Sequence, residues 1–150
     1  MGKDDFKIEG IVELERMMKR LGKVPQTVVT KAARAGANIA YKAARANAPV
    51  DRGDLKGGIK LKPERRTVLG KKVYDVIMDP EKNDLFVKYT KDGIRYYYPA
   101  SQEYGYRTVN GRYIPGFRYL RHSLTNNIRA IEAKVIEVAG KEVDKAMKAK

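Results

Sequence analysis

Few side chains in this sequence are placed to do chemistry. His122 is the only histidine and stands beside Ser123, a pair in which a hydroxyl could be activated if a third group oriented the imidazole. No nucleophile-elbow pattern supplies that setting. With no cysteine and no acidic pair at ligand spacing around His122, a metal ion would lack its usual ligands. Asp4 with Asp5, Asp51 with Asp54, and Asp75 with Asp79 are carboxylate pairs only by nearness, and charged turns and caps produce such spacings without any acid–base role. Arg52-Gly53-Asp54 reads as a polar turn, and Gly57-Gly58 lacks the Lys-Ser/Thr that completes a phosphate-binding loop. The expectation is a protein with no catalytic residues, no metal and no cofactor.

Two clusters carry more weight. Lys56, Lys60, Lys62, Arg65, Arg66, Lys71 and Lys72 lie within seventeen residues and are opposed by Glu64 alone, a run suited to phosphate contacts and equally to a solvated face. Eight of the ten tyrosines fall between Tyr89 and Tyr119, interleaved with Lys91, Arg95, Arg107, Arg112 and Arg118. Aromatic and basic residues in alternation serve single-stranded nucleic acid, but the same mixture anchors protein interfaces. No RNA-binding signature accompanies it, so a protein interface is the preferred reading and a basic nucleic-acid-binding domain the alternative.

At 150 residues and 43% hydrophobic content the chain suits one domain over residues 1–150. Its net charge of +14 asks for an acidic partner surface or a phosphate backbone. The absence of cysteine suits a reducing cytosol. Met1–Phe6 has no signal-peptide core and no apolar run reaches the length of a membrane span, so no membrane partner is expected.

Periodicity gives the helices and strands on which these clusters sit. Ile11, Leu14, Met17 or Met18 and Leu21 predict a short helix over 9–21. A second runs from Pro25 to Ala48-Pro49 with a narrow stripe of mostly alanine, and Gly36 in its middle implies close packing against a sheet or a neighbouring copy. Residues 50–116 predict an antiparallel sheet, with strands at 59–62, 67–69, 73–78, 85–89 and 95–98. A long final helix carries Leu120, Leu124, Ile128, Ile131, Val135, Val138, Ala139 and Val143, with fraying expected beyond about residue 140. The fold class is α+β, with N-terminal helices, a central antiparallel sheet and a long C-terminal helix packed on it in one core.

Three segments in order carry a resemblance. Ala48-Pro49-Val50-Asp51-Arg52-Gly53-Asp54-Leu55-Lys56 with Ile59 comes first, then Tyr98 with Glu103-Tyr104-Gly105-Tyr106, then Arg118-Tyr119-Leu120-Arg121-His122-Ser123-Leu124. Together with the flanking helices, over about residues 8–147, they resemble the neck and tail-completion family of tailed bacteriophages typified by the gene-ten product of a lambdoid phage. Tyr106 stands where that family has Thr, and Arg118, His122 and Ser123 also depart from its pattern. The resemblance implies a non-enzymatic phage or prophage assembly protein of the head–tail junction, found in the virion and in the host cytoplasm during assembly. Its implied partners are connector, tail-terminator or tail-tube subunits, with self-association into a ring.

From residue type alone, segments 50–58 and 99–116 are expected to be exposed loops that order on docking. Tyr104, Tyr106, Arg107, Arg112 and Tyr113 are the first candidates for contact, with tyrosines capping the core as the other reading.

Overall fold

A computed structural model describes residues 24–66 and 68–148, together with Arg16 and Gly22. Apart from Arg16, the helix expected over 9–21 lies outside the described residues.

The organising element is α1, Val24–Asn47. Its buried positions recur every fourth residue as Val28, Ala32, Gly36, Ala40 and Ala44, continued by Ala48 just past its end. Four residues exceed a 3.6-residue turn, so each step advances the stripe by about 40° and the whole row winds around the helix. The N-terminal half of the stripe therefore faces one partner and the C-terminal half another.

At the first end, Val28 and Ala32 pack with Ala139 and Val143 of the last helix, α6 (Ile128–Lys148). At the second, Ala44 and Ala48 pack with Leu55, Ile59 and Tyr119. These residues come from α2 (Asp54–Gly58), β1 (Ile59–Pro63) and α5 (Tyr119–Thr125). Two buried clusters strung along α1 thus replace the single core expected from periodicity.

Beyond α2, β1 pairs antiparallel with β2 (Tyr74–Met78) in the register Ile59 to Met78 and Leu61 to Val76. This ribbon lies on α1. Next come α3 (Asn83–Phe86) and a hairpin of β3 (Val87–Tyr89) with β4 (Arg95–Tyr97). Then follow α4 (Tyr98–Tyr104) and a second hairpin of β5 (Gly105–Arg107) with β6 (Tyr113–Pro115). The α+β class with a long C-terminal helix is as expected, but the strands form three separate two-stranded ribbons.

Several local expectations are corrected. The final helix is broken at Asn126-Asn127, because Asn127 turns its side-chain amide back onto the Ser123 carbonyl at 2.9 Å, a local bond that competes with helix continuation. The main packing of α6 is on α1 and not on a sheet. Gly36 is what permits this approach: a Cβ there would lie 2.7 Å from Val135 Cγ2. The close neighbour of the alanine-rich helix is therefore part of the same chain. The helix continues through Gly140, where the sequence suggests fraying, to Lys148.

The strand expected at 67–69 gives way to a turn at Leu69-Gly70 closed by a Val68–Lys71 bridge, with Thr67 outside the described residues. Leu85 and Phe86 are helical, following a turn in which the Asp79 carboxylate accepts the Glu81 N–H. The segments 50–58 and 99–116, expected as loops, contain α2, α4 and the β5–β6 hairpin. Leu55, Pro99 and Glu103 anchor them in the interior.

Candidate docking surfaces

The β5–β6 hairpin projects the tyrosine-rich stretch from a rigid base. Gly105 has φ of 87°, and a Cβ on it would meet the Ile114 carbonyl at 2.2 Å. A Cβ on Gly116 would fall 2.3 Å from the Glu103 carbonyl. Backbones this close admit only glycine at both positions. Phe117 and Arg118 then donate their N–H groups to the Gln102 and Glu103 carbonyls at 2.7 and 3.1 Å, which ties the far side of the hairpin to α4.

Below this base sits Glu103, buried between α4 and α5. Its carboxylate accepts the backbone N–H groups of Leu120 at 2.9 Å and Arg121 at 3.1 Å. Helix α5 needs this help because Arg118, its N-cap, is left-handed at φ 50° and offers no side-chain bond. A carboxylate facing the exposed N–H groups of a helix start also meets the favourable end of its dipole. Beneath the cap, Tyr119 is almost wholly buried; its burial pushes the hydroxyl well above the usual tyrosine value, and the Glu103 charge adds to the shift. Ser123 is also buried and donates its hydroxyl to the Leu120 carbonyl, while His122 is exposed.

The five residues singled out from the sequence divide over this hairpin. Arg107 and Tyr113 are register partners and Tyr113 donates its hydroxyl to the Tyr104 carbonyl, so Tyr104, Arg107 and Tyr113 stand together. Tyr106 pairs with Ile114, one position along, and so faces the other side of the ribbon. Arg112 flanks the tip, its carbonyl accepting the Thr108 N–H at 2.8 Å. All five are exposed, Tyr104 at 69%.

Sequence reasoning missed what lies beside them. Its helical spacing places Leu124 in the core, yet it is 55% exposed. With Leu120 and Tyr104 it lines an open groove of about 400 Å³ along α5. Phe117, at the foot of the hairpin, is 61% exposed. Periodicity alone could not reveal this, because the face that α5 turns inward is that of Tyr119 and Ser123, which lies beside Leu124 and not on it.

The basic run divides as well. Lys56 is exposed on α2, and Lys60 and Lys62 share one face of β1, with Lys60 at the edge of the ribbon that borders α1. Arg65 and Arg66 are exposed in the connection to β2. Lys71 is exposed beyond the turn, and Lys72 donates to the Glu64 carbonyl at 3.1 Å. Among the described residues no group of three or more His, Asp or Glu is placed to hold a metal ion, and no helix is long and apolar enough to cross a membrane.

A helix pair bearing short ribbons, with aromatic and basic side chains exposed around the β5–β6 hairpin, defines a small α+β protein without a clustered catalytic or metal-binding group among the described residues. The chain belongs to the family described as "Bacteriophage HK97-gp10, putative tail-component", whose model matches residues 13–100. Membership makes it a structural phage protein of the tail-component type. No curated protein and no solved structure matches it.

Proposed function

We propose that this protein is a non-enzymatic virion assembly component of the neck or tail-completion type, which docks at the head–tail junction. Its partners are connector, tail-terminator or tail-tube subunits, and copies of the chain associate into a ring. It resides in the virion after assembly in the host cytoplasm. The observation that carries this reading is the exposed group of Tyr104, Arg107, Tyr113, Phe117 and Leu124 around the β5–β6 hairpin. Tyrosine and arginine are the residues that anchor protein interfaces, and an apolar groove beside them supplies the dry centre that such interfaces need. The fixed base of the hairpin lowers the ordering cost of docking.

Alanine at Arg107 and Arg112, and separately at Tyr104 and Leu124, tests the proposal in a phage assembly assay scored for joined heads and tails. Folded variants should leave heads and tails unjoined. Normal yields of infectious particles from variants whose circular dichroism matches wild type would move the docking surface elsewhere.

A further inference from the structure

On a different part of the molecule, an open groove of about 580 Å³ runs between α1 and the β1–β2 ribbon. Arg34, Asn38, Tyr41 and Arg45 line its helix wall, at spacings of four, three and four that bring them onto one face. Lys60 and Asp79 line the other side. The lining therefore carries three cations against one carboxylate.

Arg45 is held in place: its Nη1 donates to the Tyr41 hydroxyl at 2.8 Å and its Cζ lies 5.5 Å from the Tyr41 ring centroid. A guanidinium fixed in this way keeps most of its donors for a ligand and loses little freedom on binding. Among the described residues neither Arg34 nor Arg45 has an acidic partner, while Lys60 meets Asp79 at 3.4 Å.

The positive charge is extended. Arg34 and Arg45 are separated by eleven residues of helix, about 16 Å. That length spans roughly five phosphates of one strand of a duplex. Outside the groove, Lys62 lies about 6–7 Å from Lys60 on the same face of β1, and Arg65 and Arg66 are exposed just beyond the strand. Tyr41, Ile59, Leu61 and Tyr74 also line the groove, but all are buried or half-buried, and the exposed charged side chains of its lining are Arg34 and Lys60.

We infer that this groove binds the phosphodiester backbone of nucleic acid without regard to sequence. The inference is independent of the docking role of the β5–β6 hairpin. Asp79 sets the affinity from within: by occupying Lys60 it withholds one cation from the ligand.

The test is fluorescence anisotropy of a labelled duplex of scrambled sequence, titrated with the full chain over a range of salt concentrations. Binding should weaken linearly on a log–log plot. The Arg34→Gln/Arg45→Gln variant should reduce that slope by roughly 2, about 0.9 per lost phosphate contact. Asp79→Asn, which retains an oxygen to accept the Glu81 N–H, should bind more tightly than wild type. Poly-glutamate serves as the competing arm. Loss of slope in the arginine variant with a gain in the asparagine variant supports the inference. Unchanged duplex binding in both folded variants overturns it, as does binding of poly-glutamate without binding of the duplex, which would assign the groove to an acidic protein.

Discussion

The carboxylate of Glu103 accepts the backbone N–H of Leu120 at 2.9 Å and so joins α4 to the first turn of α5 across seventeen residues of chain. A second bond to the Arg121 N–H makes this a two-pronged cap supplied from a distance. Glu103→Ala leaves two helix N–H groups without their acceptor and should cost about 2–3 kcal/mol of stability. Glu103→Gln, which keeps one acceptor oxygen, should cost less. Urea unfolding checks both, and wild-type stability in the alanine variant would show that the cap does not hold the helix.

Gly36 and Gly140 both lie within helices, and the same substitution should have opposite effects at them. Nothing stands within 4 Å of a Cβ at Gly140, so Gly140→Ala should stabilise by about 1 kcal/mol through helix propensity alone. At Gly36 the added carbon meets Val135 Cγ2 at 2.7 Å and Ile131 Cγ2 at 3.2 Å, both on β-branched side chains with little rotamer freedom. Gly36→Ala should therefore destabilise by about 1–2 kcal/mol despite its better propensity. Thermal melts of the two variants must move in opposite directions.

Leu124 and Ile131 belong to the same apparent stripe but not to the same environment. Leu124→Asp should keep the melting temperature close to that of wild type while abolishing docking. Ile131 lies against Gly36 of α1, and Ile131→Asp should lose roughly 3 kcal/mol or more by bringing a carboxylate into that contact. Circular dichroism melts distinguish the two, and equal losses would return Leu124 to the core.

Acid should loosen the contact between α1 and α6. Lys31 Nζ lies 2.6 Å from Glu142 Oε2, and this hydrogen bond holds the Glu142 carboxyl below its usual value. Bonds from Lys141 and Lys134 lower Glu137 in the same way. A carboxyl lowered in the folded state binds fewer protons there than in the unfolded chain. Its contribution is present above the ordinary glutamate value and is lost as the pH falls through the lowered one. The melting temperature should thus begin to decline below about pH 4.3. Glu142→Gln should shorten that decline, and an identical acid limb would remove the Lys31–Glu142 pair as its source.

Elements whose signals are local were legible in the amino-acid order. Pro25 and Ala48-Pro49 bracket α1 to within a residue or two, and alternation located β1, β2 and β4 nearly as closely, since these signals act through backbone geometry and need no partner. The exposure of the five hairpin residues also followed from residue type. What covers each face depends on long-range packing. A hydrophobic period reports that a side is apolar, but not whether a helix, a ribbon or a partner lies against it, so Leu124 shares the spacing of the core residues and is nonetheless exposed beside the buried Tyr119 and Ser123. Glu103 gave no local sign of its role, because the N–H groups it accepts are distant in sequence and only folding brings them within reach. The same holds for the groove, whose two walls are separate charged faces in the sequence, Arg34 and Arg45 on one element and Lys60 on another. They become one site only because the small side chains of Ala44 and Ala48 let Ile59 of the ribbon pack against α1, a consequence of side-chain volume that no single segment contains.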